Sequence, residues 1–200
     1  RADETARRAA RIWSRACPAL DDHAYLTRKQ VAPLRLRMDA SRRLVVPLQD
    51  IDGQIQTVEF ITVEGAKRYL AGGTKKGHFA VVSTEPGPLR KPLGPLLICE
   101  GWATGASLHI ATGHTVIAAM DAANLVPVAQ ALRARFPEAD LVIVADNDVK
   151  PNTLANPGVE AARKAARLLE ARLAIPPAPG DANDLFCAQG PEAVAAFVAS

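Results

Sequence analysis

The chain has 200 residues, 48% apolar and 22% charged, a balance that excludes disorder and can bury a sizeable core. No apolar run nears the roughly 20 residues of a bilayer span, no secretory start is visible, and Cys17, Cys99 and Cys187 have no knuckle or disulfide spacing, so a reducing cytoplasm is expected. The net charge of +3 hides an asymmetry: residues 1–43 hold 11 Lys/Arg and 5 Asp/Glu, residues 96–200 hold 7 and 11, a front suited to phosphates and a back suited to cations, or simply two solvated surfaces.

The start at Arg1 rather than methionine suggests a fragment of a longer polypeptide or a processed start. Residues 4–16 place Ala6, Ala9, Ala10, Ile12, Trp13 and Ala16 on one face of a helix with arginines opposite. Pro18 and Asp21-Asp22 stop it, and HAYLTRKQV suits a second short helix. Residues 44–48, 54–63 and 78–82 are rich in β-branched side chains and are separated by Asp52-Gly53 and Gly72-Gly73, which predicts a small antiparallel sheet. Residues 85–95, with four prolines and two glycines, continue neither element and mark a domain boundary, giving a smaller basic α+β unit over 1–94 and a second unit over 95–200.

Beyond that boundary strands and helices alternate. LLICE (96–100), TVIAAM (115–120) and DLVIVAD (140–146) read as strands, 102–112, 124–135 and about 157–172 as helices. A short fourth strand is expected at 173–175 and a closing helix in PEAVAAFVA. Strands apolar throughout belong to a parallel sheet covered on both faces, so the second unit is α/β with about four parallel strands flanked by helices.

In such a sheet the functional crevice lies beyond the carboxyl ends of the strands. Glu100 ends the first strand and is followed by Gly101, which permits a tight turn. Asp146 ends the third, and Asp148 follows two residues on, so an extended backbone points both carboxylates the same way. Three converging carboxylates repel unless protons or cations relieve them, and an oxygen-only set favours Mg²⁺ or Mn²⁺. Each acid taken alone reads as a turn or helix cap; their shared position at strand ends favours the metal. Asp181 and Asp184 in GDANDL are further acids for which helix capping and a place in the site compete.

The ordered set LLICEGWATGASLHIATG, VIVADND and GDANDL resembles the Toprim domain, over roughly residues 95–200, and more particularly that of plasmid primases and phage-type primase-helicases. The segments HAYL, LVVPLQDIDGQIQTVEFI and EGAKRYLAGGTKKGHF resemble the region preceding Toprim in those proteins. The resemblance implies Glu100 as metal ligand or general acid/base, Asp146 and Asp148 as principal metal ligands, and Asp181 and Asp184 as the further acidic pair. Two departures are that Thr104 stands where many bacterial-type primases carry an Asp, and Gly180 where a Lys commonly precedes the last acidic motif.

Phosphate contacts then fall to Lys67, Arg68, Lys75 and Lys76 around Gly72-Gly73, and to Arg28 and Lys29, with Arg35 and Arg37 as lesser candidates; a hairpin with solubilising lysines is the alternative. GGTKKG lacks Walker spacing, and His109 and His114 have no ligand partner at metal spacing. The implied activity is a DNA primase, a nucleotidyltransferase joining ribonucleoside triphosphates on single-stranded DNA with Mg²⁺ or Mn²⁺, beside a replicative helicase or helicase domain and away from membranes. A Toprim nuclease and a non-catalytic DNA-binding or assembly module are the alternatives. A topoisomerase would need a nucleophilic tyrosine, and neither Tyr25 nor Tyr69 lies near the acidic motifs in sequence.

Overall fold

A computed structural model describes residues 2–85, 89–148 and 156–200, so part of the proline-rich boundary segment, 86–88, lies outside the described residues. The front half opens with α1 (Ala2–Arg15), β1 (Cys17–Pro18) and α2 (Ala24–Lys29), then β2 (Arg37–Met38), β3 (Leu44–Gln49), β4 (Ile55–Ile61) and β5 (Lys67–Tyr69). The five strands form one antiparallel sheet in chain order. Alternation sorts its faces: Val45, Val58 and Phe60 pack with Ala9 and Ala16 along α1, while Leu44, Val46, Leu48 and Ile61 turn toward the second half. In α2, His23 is buried, its Nδ1 accepts from the Tyr25 N–H and its Nε2 reaches the Arg42 carbonyl at 2.9 Å, which fixes the tautomer protonated at Nε2.

The second half runs β6 (Ala80–Val82), β7 (Leu96–Cys99), α3 (Trp102–Thr112), β8 (Val116–Ala118), a 3-10 turn at Ala122–Asn124, α4 (Leu125–Arg135), β9 (Leu141–Val144), α5 (Pro157–Leu169), β10 (Arg172–Ala174), α6 (Ala182–Gln189) and α7 (Pro191–Ala199). Its sheet has the order β10-β9-β7-β8-β6, parallel except for β6. Leu97, Cys99, Val142 and Val144 face one core with α3, α6 and α7, and Leu96, Ile98, Leu141 and Ile143 face the other with α4 and α5. These are the strands expected to be apolar on both faces.

Two expectations change. Residues 78–82 do not extend the antiparallel sheet; β6 pairs antiparallel with β8, and the Gln49–Phe79 bridge ties this segment to the first sheet. The chain thus enters the second sheet before the proline-rich segment, and one core runs continuously from Leu26 and Ile61 to Leu97 and Trp102. A boundary after residue 94 therefore divides the topology too late. The helix expected to reach 172 ends at Leu169, because Glu170 turns left-handed and its N–H caps Ala166. Among the described residues no helix is long and apolar enough to cross a membrane.

Candidate metal centre

Parallel pairing of β7 with β9, Ile98 opposite Ile143, sets Glu100 and Asp146 side by side just beyond the strand ends. The GDANDL loop is fastened to them through backbone. Asn147 and Gly180 exchange two N–H···O bonds of 3.0 Å each, which brings Asp181, the N-cap of α6, to the same edge. The Asn147 side chain turns to the loops, donating to the carbonyls of Pro176 (2.9 Å) and Ala178 (3.1 Å) and accepting from Asn156 Nδ2 at 2.8 Å. Asn156 in turn caps α5 by accepting from the Val159 N–H. One amide between two acids therefore ties β9, α5 and the α6 loop together.

Glu100, Asp146 and Asp181 line a cleft of about 230 Å³ together with Thr104, Met120, Asp121, Tyr25, Lys29 and Lys67. Asp148 is exposed and is not among the residues that line the cleft, though its charge is felt by Glu100 and Asp146. Burial, then the charges of Glu100, Asp181 and Asp148, push the Asp146 pKa up to about 8, with Lys67 opposing. Burial followed by Asp148 and Asp181 also raises Glu100. Glu100 Oε1 and Asp146 Oδ1 are buried and accept no hydrogen bond. Two unpaired carboxylate oxygens amid like charge are the donors a hard divalent cation takes, and such an ion draws its remaining ligands from water or substrate oxygen. Among the described residues no three acid, His or Cys side chains come together as a ligand set. Met120, left-handed at φ 73°, donates its N–H to the Glu100 carbonyl (2.6 Å) and holds the cleft floor in a strained conformation.

The outer acids divide. Asp181 accepts from the Thr104 hydroxyl at 3.0 Å, so Thr104 adds a donor where many bacterial-type primases would add charge. Asp184 completes a capping box with Asp181, its Oδ2 accepting from the Asp181 N–H at 3.1 Å, and it lies outside the cleft. Gly180 has φ +116°, and a Cβ there would sit 2.8 Å from Asp184 Oδ2, so a lysine at this position would be strained and would have to displace the Asp184 side chain from the capping box.

Of the basic candidates, Lys29 and Lys67 line the cleft. Lys75 pairs with Asp121 and lies 5.0 Å over the Tyr69 ring. Arg68 and Lys76 are exposed, outside the residues that line the cleft. Arg28 is tied to the Val63 carbonyl, Arg35 to that of Glu85 and Arg37 to that of Trp13. His109 Nδ1 meets the His114 carbonyl at 2.7 Å, a structural contact.

Sequence reasoning missed Asn124, 3% exposed, which docks the GGTKKG loop on the second sheet. Its Oδ1 accepts from the Gly77 N–H at 2.7 Å, and its Nδ2 is shared among the carbonyls of Ala119, His78 and Lys75. Asn124→Ala strands these buried groups and is expected to cost about 3 kcal/mol, read as a shift of the urea midpoint at unchanged slope; a shift under about 1 kcal/mol would show that the loop is held by other contacts. Asn183 plays a comparable part, its Nδ2 donating to the Lys29 carbonyl and the Ser107 hydroxyl and so seating α2 on α6.

The raised Asp146 pKa sets a pH dependence. The folded state holds this proton more tightly than the unfolded chain, whose ordinary value is 3.8, so the associated stability is fully present below about pH 4 and is lost as pH rises through about 8. In EDTA the Tm is expected to fall between pH 5 and pH 8, less steeply in Asp146→Asn, and Mg²⁺ is expected to raise Tm more at pH 8 than at pH 5. Identical slopes for the two proteins would remove Asp146 as the source.

Residues 95–192 match the model of the Toprim domain. Over 184 residues, 90% of the chain, the sequence is 34% identical to a DNA primase TraC of Escherichia coli, and over 178 residues, 87% of the chain, 32% identical to another protein of that name from the same organism. The chain spans only 17% and 12% of those relatives. The fold is similar to that of the primase fragment of the bacteriophage T7 primase-helicase protein, with a TM-score of 0.66 at 15% identity over 86% of this chain and 73% of that one. It is also similar to the zinc-binding and RNA polymerase domains of the Aquifex aeolicus primase, with a TM-score of 0.61 at 12% identity over 98% and 59% of the two chains.

Proposed function

We propose that this chain, whose residues 95–192 match the Toprim domain and whose sequence is 34% identical to a DNA primase TraC, is the catalytic core of a DNA primase of the plasmid type, joining ribonucleoside triphosphates on single-stranded DNA. The observation that carries this reading is the meeting of both halves at one cleft, which is lined by two acids with buried, unpartnered carboxylate oxygens at the ends of the second sheet's strands and by Lys29 of α2 and Lys67 of β5. An all-acidic cleft would repel a triphosphate. Cations from the front half, with a divalent ion held by Glu100, Asp146 and Asp148, make the same cleft able to take one.

In this reading Mg²⁺, or Mn²⁺, supplies charge neutralisation on the attacking and leaving oxygens. Lys29 and Lys67 hold the triphosphate by charge-assisted hydrogen bonds. Glu100, whose affinity for a proton is raised by burial and by Asp148 and Asp181, accepts the proton of the attacking 3′ hydroxyl as the new O–P bond forms and pyrophosphate departs. Asp181, with both oxygens already accepting, shapes the cleft wall, and Asp184 keeps the α6 cap. The exposed arginines of α1 suit a template backbone, a helicase or helicase domain is the expected working partner, and the free cysteines suit a reducing cytoplasm.

The test is primer synthesis by the full-length protein on a single-stranded template with labelled ribonucleotides and Mg²⁺. Products that lengthen with template-complementary nucleotides support the reading. Template nicking without synthesis would replace it with a nuclease, and template binding without either activity would replace it with an assembly module.

A further inference from the structure

Lys67 stands beside a buried acid that no part of the metal centre uses. Glu59 sits in the middle of β4, 2% exposed, on the face turned toward the second sheet. Register places Tyr69 opposite it and Lys67 opposite Ile61, so Glu59, Ile61, Lys67 and Tyr69 share that face. The Tyr69 hydroxyl lies between the Glu59 carboxylate, with which it shares a hydrogen bond, and the Met120 carbonyl at 3.4 Å, and Lys75 covers the Tyr69 ring while pairing with Asp121. Glu59 thus lies under the seam where the front half meets the cleft floor.

Stability does not explain this acid. Its Oε2 is buried with no hydrogen-bond partner, and a buried carboxylate is commonly improved upon by an uncharged residue of similar volume. Burial raises its pKa, and Lys67, Tyr69 and Lys75, in that order, hold it down. Lys67 lowers the Asp146 pKa as well, so this one ammonium is felt by Glu59 on the rim and by Asp146 in the cleft. A flexible four-carbon stem has many rotamers; an anchored carboxylate beneath it selects those that keep the ammonium over the cleft.

We propose that Glu59 is a positioning residue, a buried anionic anchor that holds Lys67 toward the triphosphate of the incoming nucleotide. The inference rests on the primase reading of the cleft. It requires no contact between Glu59 and substrate: its effect passes through Lys67.

Glu59→Gln preserves volume and removes the charge. Expected for the full-length protein is a KM for ribonucleoside triphosphates raised about five- to tenfold with kcat within about twofold, the signature of lost ground-state binding. Calorimetric binding of ATP in Mg²⁺ weakens by the same factor, and Tm is unchanged or higher. Lys67→Ala raises KM at least as far, and the double variant is no worse than Lys67→Ala alone, because the anchor has nothing left to hold. A wild-type KM and ATP affinity in Glu59→Gln, or losses that simply add to those of Lys67→Ala, would overturn the proposal. If the wild type makes no primers, the primase reading fails while ATP binding still decides on Glu59. If the wild type does not bind ATP, the lysine rim is not a triphosphate site and Glu59 has no such role.

Discussion

Asp146→Asn in the full-length protein is expected to lower primer synthesis by about 10³-fold or more, since a lost metal ligand removes several kcal/mol of charge stabilisation and each 1.36 kcal/mol is a decade of rate. The substitution keeps size and removes charge at the most perturbed carboxylate of the cleft, the one whose pKa is pushed up to about 8. Mg²⁺ affinity by calorimetry is expected to fall in parallel. Metal-free stability near pH 8 is expected to hold or rise, because the variant no longer gathers a third negative charge beside Glu100 and Asp181. This opposition of signs separates a functional acid from a structural one. Asp184→Asn, which touches only the α6 capping box, is expected to cost about 1 kcal/mol of stability and leave the rate near wild type. Full activity in Asp146→Asn would remove Asp146 from the metal site.

Much of this geometry was legible because it follows from strand period and strand ends. LLICE and LVIVAD are apolar at every position before the closing acid, which only a doubly covered strand tolerates, and the acids that close them had to fall at the carboxyl edge of a parallel sheet. Whatever depended on pairing partners was not legible. Residues 80–82 look the same in either sheet, and their choice of β8 is set by tertiary packing against α3. Asp181 and Asp184 could not be told apart by type or spacing: each gives one carboxylate oxygen to the capping box, and what separates them is that Asp181 also accepts from Thr104 and lines the cleft. Asn124, Asn147 and Asn183 left no periodic trace, since each works through carbonyls distant in sequence. Glu59 leaves a trace in the sequence, a charged residue between Val58 and Phe60, but the same trace marks an ordinary outward-facing strand position.

Gly158→Ala is expected to lower the rate by about 10²-fold without removing a charged group. Gly158 lies in the first turn of α5, behind the β9 end. A Cβ built there would stand 2.5 Å from the Asp146 carbonyl oxygen and 3.1 Å from Glu100 Oε1. The first contact is with backbone, so no side-chain rotation relieves it; either α5 or the 145–147 segment must move. Overpacking of this kind costs about 1–3 kcal/mol. The displaced parts are those that hold Asp146, and a shift near 1 Å at a reacting centre costs about 10²-fold in rate. The comparison is Gly101→Ala, at φ −103°, where a Cβ would meet only Thr104 Oγ1 at 3.4 Å. That substitution is expected to leave the urea midpoint within about 0.5 kcal/mol of wild type, whereas Gly158→Ala lowers both the midpoint and the Mg²⁺ affinity. If Gly158→Ala binds Mg²⁺ as the wild type does, the close packing of α5 on the strand end is not what fixes the two carboxylates, and the hydrogen bonds of Asn147 and of the Met120 N–H are left to do so.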